Sequence, residues 1–386
     1  MNNPRRLLTI GHSYVVALNR RLAHEMAKVG RGEWEVTCAA PRHMAGDLRP
    51  IELERFAGEA CRLEPVDVRF SKRIHFMLYG RNLRRLMREP WDLVHCWEEP
   101  YVASGAQIAH WSRKTPMIYY TFQNIDKHYP FPFSAIERWS GRRCAGWIAA
   151  GRTVAEVVSK RPGGFGEKPH RTLPLGVDLE VFRSDAAARA EVTRKLNWSV
   201  EGPPIIGMLG RFVPEKGFAI LQRALADLKT PWRAMFVGGG AMEAELKAWA
   251  ATQDDRVRIV TGVKHDDVPA YLNAMDMLVA PSQTTPHWRE QLGRMLLEAF
   301  ACGVPVVGSD SGEIPYVIGD AGVVVPEADD AAWTNAIGCL LDDSALRADY
   351  AARGLARAQA EFAWPEIARR HLEFFDELLA ARSSRT

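Results

Sequence analysis

An α/β protein made of two doubly wound halves is the architecture this sequence predicts, and three observations predict it. Apolar strand-like runs alternate with helical patterns, the signature of βαβ units on a parallel sheet. The alternation occurs twice, on either side of a polar stretch near 183–203. The length, 386 residues, has room for two domains.

In the first half the expected strands are "RLLTI" (6–10), "WEVTCAA" (34–40), "DLVHC" (92–96), "MIYYTF" (117–122) and "GWIAA" (146–150), with helical patterns at 16–29, 102–112 and 133–143. In the second they are "PIIGMLG" (204–210), "RAMFVG" (233–238), "RVRIV" (256–260), "MLVAPS" (277–282), "VPVVGS" (304–309) and "GVVVP" (322–326). The joining stretch is polar and ends in Gly-Pro-Pro, as a linker does. After "FAWP", Ile367, His371, Phe374, Phe375 and Leu378 form one helical stripe. The expected domains are 1–182, a linker at 183–203, a second domain at 204–364, and a helix at 365–386 that packs back on the first domain. Open parallel sheets bind ligands at the carboxyl ends of their strands. Two such sheets facing each other put the expected site in a cleft between them.

Composition narrows the class. With 47% hydrophobic and 25% charged residues the chain reads as globular. It has no uncharged apolar run of about 18 residues, so no transmembrane helix is expected. The first residues lack the apolar core and cleavage site of a secretory signal. Six scattered cysteines without a C-x-x-C pair fit reduced cytosolic thiols, not a disulfide framework or a zinc site. Residues 1–200 carry a net +11 and the remainder −8. The basic first half suits an anionic surface or substrate; variation over solvated faces gives the same sum.

Three segments of the second half carry candidate chemistry. "REQLGRMLLEAFACG" (289–303) sets Glu290 and Glu298 eight residues apart. On one helix that is about 12 Å along the axis. Paired glycosidase carboxyls sit about 5–9.5 Å apart, so a concerted acid/base pair is disfavoured. Glu290 is expected in the loop before a helix that starts near Gly293 and stops at Gly303, and Glu298 inside it. Such a helix start offers backbone N–H groups to phosphate. A solvated glutamate on an amphipathic helix is the bland reading of Glu298. "GRFVPEKG" (210–217) follows a strand and places Arg211 and Lys216 across a turn, a pair suited to a diphosphate. The run "VGGG" (237–240) is a phosphate nest or a tight turn, with the turn favoured. No P-loop, D-x-D triplet or H-E-x-x-H pair occurs.

In order and spacing these segments resemble the retaining GT-B glycosyltransferases of glycosyltransferase family 4. The resemblance rests on "GRFVPEKG", "VGGG", "VTGVKHDDVPAYLNAMDMLVAPS" and "EQLGRMLLEAFACGVPVVGSDSGEIPYVIGDAGVVV", with the family's E-x7-E motif on Glu290 and Glu298 and "LPLGVDLEVF" (173–182) leading in. It implies a GT-B fold, two Rossmann-like domains facing a cleft. It also implies roles. Arg211 and Lys216 neutralise the leaving diphosphate. Glu298 holds the ribose. Glu290 and the backbone of Gln291, Leu292 and Gly293 orient the donor sugar and its phosphates. The backbone near Val263 and Lys264 meets the base, and Gly11 allows close approach in the first domain. The implied reaction is hexosyl transfer from a UDP- or GDP-sugar, with no metal or other cofactor. The family often carries a histidine where this chain has Gln123. An amide can hydrogen-bond a sugar but cannot carry positive charge. His128 is the nearest histidine beyond it.

The first domain is expected to choose a saccharide or lipid-linked acceptor. Its candidates are His12, Ser13, Tyr14, Glu98, Glu99 and Asn124. "SKRIHFMLYGRNLRRLMRE" (71–89) is basic and amphipathic. It reads as a helix on an anionic membrane surface, contacted through 72–88, or as a core helix with a solvated basic face. The expected place is the cytoplasm, with peripheral attachment to the inner face of the membrane as a further expectation, and no nucleic-acid partner. Competing readings are a GT-B epimerase or hydrolase of nucleotide sugars, and a non-catalytic nucleotide-sugar-binding protein.

Overall fold

The computed structural model describes residues 3–45 and 50–384. Residues 1–2, 46–49 and 385–386 of the expected domains lie outside the described residues. The chain forms two compact units, Met1–Leu175 with Trp364–Thr386, and Gly176–Ala363.

The first unit is built on seven parallel strands: β1 (Arg5–Ile10), β2 (Trp34–Pro41), β3 (Arg62–Val66), β4 (Leu93–Cys96), β5 (Met117–Thr121), β6 (Gly146–Ala149) and β7 (His170–Thr172). Their spatial order is β7-β6-β5-β4-β1-β2-β3. Leu7 feeds one core layer and Leu8 and Ile10 the other, because successive strand residues face opposite sides. A parallel sheet covered on both faces needs apolar residues at both, which is why "RLLTI" does not alternate.

The second unit has six parallel strands: β8 (Ile205–Arg211), β9 (Arg233–Gly239), β10 (Val257–Thr261), β11 (Met277–Ala280), β12 (Val306–Ser309) and β13 (Gly322–Val325). Their order is β10-β9-β8-β11-β12-β13. All six were legible as apolar runs.

The boundary differs from the expected 182. Residues 183–203 are not a free linker. They hold helix α2 (Ala186–Lys195), whose N-terminus is capped by the Asp185 carboxylate accepting from the Ala187 and Ala188 amides. Arg189 on that helix pairs with Asp276 at 3.0 Å, which ties it into the second unit. The chain enters and leaves this unit side by side. Val177 donates its N–H to the Phe362 carbonyl at 2.8 Å, and Val177 bridges Ala363.

The last helix, α4 (Trp364–Ser383), belongs to the first unit. Ile367, His371, Phe374, Phe375 and Leu378 are all buried, and Phe375 meets Trp34 edge-on at 6.0 Å. Each large apolar side chain so buried contributes about 1.5–3 kcal/mol.

The stretch 71–89 is not one helix. Leu78–Tyr79 pairs antiparallel with Val68–Arg69, and the Gly80 N–H donates to the Asp67 carbonyl at 2.7 Å. That pairing diverts the backbone, so only helix α1 (Arg81–Leu86) is α-helical. Leu83, Leu86 and Met87 are in the core, while Lys72, Arg73, Arg81, Arg84, Arg85 and Arg88 are exposed.

Candidate functional site

In the second unit the candidate residues gather at the carboxyl edge of the sheet. Arg211 ends β8 and is exposed. The chain then turns through Pro214–Lys216 and reverses at Gly217, whose φ of 75° is left-handed. Lys216 is thereby brought to Glu290, 74 residues later, and its ammonium forms an ion pair with that carboxylate. Both side chains are largely buried, at 12% and 11% exposure. The Ser282 hydroxyl donates to the same Glu290 oxygen at 3.1 Å, and the Lys216 ammonium lies 5.3 Å from the centre of the Trp288 ring. Lys216 and Glu290 thus form a fixed donor and acceptor pair, each with capacity for further hydrogen bonds.

Glu290 lies in the irregular stretch before helix α3 (Arg294–Ala301), and Glu298 lies within the helix. Gly293 is the N-cap with φ 74° and ψ 55°, and no side chain caps the helix start. The Leu296 N–H donates to the Gly293 carbonyl at 2.8 Å, and no side chain takes the N–H groups of Arg294 and Met295. Leu292 packs inward, whereas Gln291 is exposed. Gly303 ends the helix at φ 69°, as its left-handed stop requires. Val263 and Lys264 follow β10 after a turn at Gly262, φ 73°.

Burial pushes the Glu298 carboxyl up to about 7, and the nearby Arg294 charge only partly opposes this. No hydrogen-bond partner of its carboxyl is found among the described residues. A carboxyl that prefers its proton in the fold stabilises it below the unfolded value of about 4.3. That contribution fades as pH rises through about 7. Glu298→Gln is therefore expected to raise the melting temperature at pH 8 and to change it little at pH 4. An equal shift at both values would contradict this environment.

The glycine run after β9 is explained by backbone approach. A Cβ at Gly238 would fall 1.8 Å from the Gly210 carbonyl oxygen, and one at Gly240 would fall 2.5 Å from that of Phe212. The run lets β8 and β9 converge, so the turn reading holds without a phosphate.

In the first unit the candidates lie at the carboxyl ends of β1, β4 and β5, which are neighbours in the sheet. Gly11 leaves β1, and a Cβ there would meet that of Trp97 at 3.0 Å. His12 follows. Its backbone N–H donates to one Glu98 oxygen at 2.7 Å, and its Nδ1 lies 2.7 Å from the other. The Tyr79 hydroxyl (2.6 Å) and the Ser104 hydroxyl (3.1 Å) complete the shell around Glu98. Burial pushes this carboxyl up, but the charge and hydrogen bonds of His12 outweigh it and leave it below its ordinary value. Glu99 accepts from the Thr121 hydroxyl at 2.6 Å and the Phe122 amide at 2.8 Å; burial still lifts it to about 7.

Two acceptor-side expectations change. Tyr14 is wholly buried, with its ring edge-on to Trp97 and its hydroxyl 2.7 Å from that of Thr9. It is a core residue. Glu98 is buried and occupied by four donors, so it orients His12 and is not free for an acceptor hydroxyl. Ser13 is half-buried beside His12. Gln123 and Asn124 are buried at the end of β5, and the Gln123 amide reaches the Ile125 carbonyl at only 3.4 Å. His128 is exposed. Ser282 and Trp288 around Lys216, and Tyr79 and Ser104 around Glu98, were not anticipated. They lie far from their partners in sequence or carry no motif, so no local signal marked them.

Comparison with known proteins places these residues in context. The family description "Glycosyltransferase Family 4" matches residues 15–181, and "Glycosyl transferases group 1" matches 190–357. The chain belongs to the GT-B glycosyltransferases of family 4 type. Among relatives of this family 4 chain is a D-inositol 3-phosphate glycosyltransferase of Xylanimonas cellulosilytica, 32% identical over 62% of this chain and 58% of the relative. Another is the lipopolysaccharide core biosynthesis mannosyltransferase LpcC of Rhizobium leguminosarum, 29% identical over 72% and 75%. The match spans little more than half the length of the first of these. A solved structure with the same fold is HepE of Anabaena in complex with UDP, with TM-score 0.75, 18% identity, and coverage of 97% of this chain and 100% of that one.

Proposed function

We propose that this family 4 chain transfers a hexosyl group from a UDP- or GDP-linked sugar to a saccharide or lipid-linked acceptor, in cell-surface polysaccharide or glycolipid synthesis. The observation that carries the reading is the convergence of Lys216 and Glu290 beside the uncapped start of α3, with Arg211 ending β8 and Glu298 buried within the helix. Fixed cations suit a departing diphosphate in a site where water is scarce. In this reading Arg211 and Lys216 take that charge without a metal or other cofactor. Glu290 and the amides of Gln291, Leu292 and Gly293 orient the sugar and phosphates. Glu298 receives the ribose hydroxyls, and the backbone at Val263 and Lys264 meets the base. Gly11 admits the donor closely, and Gln123 with Asn124 supplies neutral hydrogen bonds where the family often has a histidine. The resemblance adds retention of anomeric configuration. The relative that acts in lipopolysaccharide core biosynthesis supports the acceptor class.

The test is incubation with UDP- and GDP-hexoses and a lipid extract, with the product's anomeric configuration read by NMR. Glycosylated product is expected. Free sugar alone would favour a hydrolase, an isomerised nucleotide sugar an epimerase, and tight UDP or GDP binding without turnover a binding protein. A panel of donors compared by thermal shift selects the base, since bound donor raises stability by mass action.

The reading includes a cytoplasmic place with peripheral attachment to the inner membrane face. No helix among the described residues is long and apolar enough to cross a membrane. The exposed cations of 72–88 and the half-exposed Phe76 support an interfacial contact. Binding to anionic vesicles is expected at low salt and is lost at about 0.5 M salt, where the Debye length is only a few ångströms. Binding unchanged by salt would contradict it.

A further inference from the structure

We propose that Arg294 reads the base of the donor and makes it a guanine nucleotide, its guanidinium donating as a fork to the O6 and N7 edge of the ring. The inference rests on the donor reading above, and it narrows the UDP- or GDP-linked sugar of that reading to the GDP-linked one.

Arg294 and Glu298 stand four residues apart on α3, so their side chains share one face of the helix. Opposite charges at that spacing ordinarily meet. These two do not: neither the Arg294 guanidinium nor the Glu298 carboxyl has a hydrogen bond or an ion pair among the described residues. The Arg294 charge still acts on Glu298, where it opposes the effect of burial. It also acts on His265, whose pKa is lowered by burial and then by that charge. The guanidinium is therefore within reach of two places at once. One is the carboxyl assigned to the ribose. The other is the turn after β10, where the backbone of Val263 and Lys264 is assigned to the base.

The position of Arg294 is unfavourable for the fold alone. It is the first residue of α3, at the positive end of the helix dipole, where a cation is disfavoured. It is half-buried, so part of its hydration is lost as well. A guanidinium has five N–H donors and no acceptor, and none of the five finds a partner among the described residues. What complements it must present acceptors, and what complements the neighbouring Glu298 must present hydroxyls. A nucleoside does both, through its base and its ribose.

The fork selects among bases. Guanine sets two acceptors side by side, O6 and N7, at the spacing of the paired guanidinium N–H groups. Adenine places an amino donor beside N7, and uracil flanks its O4 with a ring N–H and a ring C–H. The diphosphate is the rival partner for an unpaired arginine. In the donor reading that charge is already answered by Arg211 and Lys216, from β8 and the turn after it. The groups that feel Arg294 are those assigned to the nucleoside side, Glu298 and the β10 turn.

Calorimetric titration of the full chain with nucleotides tests this. Wild type is expected to bind GDP about 10-fold or more tightly than UDP or ADP, the discrimination of one bidentate arginine contact. It should bind 7-deaza-GDP, which lacks the N7 acceptor, about 5-fold or more weakly than GDP. In Arg294→Leu the preference for GDP over UDP should shrink to about threefold or less, and 7-deaza-GDP should match GDP. Arg294→Lys keeps the charge but not the fork, and it should lose most of the preference as well. The melting temperature of Arg294→Leu should equal or exceed that of wild type, because a cation leaves the positive helix end. The 7-deaza comparison in wild type needs no variant, so it decides the proposal even where Arg294→Leu fails to fold. A wild type that prefers UDP or ADP, or that binds GDP and 7-deaza-GDP equally, overturns the proposal and leaves the donor reading standing. So does an unchanged preference in Arg294→Leu. A loss in that variant equal for GDP, UDP and inorganic pyrophosphate would assign Arg294 to the diphosphate and overturn it too. Wild type that binds none of these nucleotides would defeat the donor reading itself, and this proposal with it.

Discussion

Lys216→Ala is expected to reduce hexosyl transfer by about 10²–10³-fold, the usual cost of removing one fixed group that stabilises transition-state charge. The loss has two sources. On the proposed reading, the diphosphate forfeits a cation held in place by Glu290 and by the face of Trp288. Glu290 also forfeits its counter-charge, and a carboxylate that is only 11% exposed then favours its neutral form. Glu290→Ala should fall in the same range, because it releases Lys216 and removes the acceptor proposed to orient the sugar. Since the two residues act on each other, the double variant is expected to lose far less than the product of the single losses. Steady-state kinetics across this cycle checks the assignment, with circular dichroism to show the fold intact. Rates within threefold of wild type in both single variants would remove these residues from the site.

Gly217→Ala is expected to destabilise the second unit by about 3 kcal/mol or more, from left-handed strain and overpacking combined. A Cβ at this position would lie 1.9 Å from the Pro281 carbonyl oxygen. Backbone must move to make room, and both backbones matter: Lys216 precedes one and Ser282 follows the other. Gly303→Ala is the control. Gly303 has nearly the same backbone angle, φ 69°, but nothing lies within 4 Å of the added carbon. It should cost only the conformational part, about 1 kcal/mol. Chemical denaturation of the two variants separates steric from conformational cost. Equal losses would show that the close approach at Pro281 is relieved at little expense.

The central strands of both sheets were legible in the sequence, and of the four edge strands β10 and β13 were as well. The buried strands are continuous apolar runs, because a covered parallel sheet demands them. The missed strands β3 and β7 lie at the two edges of the first sheet. β3, "RLEPV", contains two charges and a proline; β7 is three residues, "HRT". These two edge strands are short and polar, as suits an edge that must not invite aggregation, so the pattern that reveals the interior is absent there. The polar stretch 183–203 misled for a related reason. Helix α2 lies on the outside of its unit, and only Val192 and Thr193 are buried. On the site, residues in motifs were legible. Those meeting across the fold were not: Ser282 gains its meaning from Glu290, and Tyr79 from Glu98, only once the sheet is built.

The docking of α4 has a consequence for the nascent chain. The apolar face of Trp34, Met26 and their neighbours is completed by residues 364–383, which the ribosome makes only after the whole of the second unit. Until then the first unit emerges with that face open to water, while the whole of the second unit is synthesised inside the gap. Translation therefore does not deliver the units in order. The one begun first is finished second, and a chain truncated anywhere before Trp364 leaves it permanently incomplete.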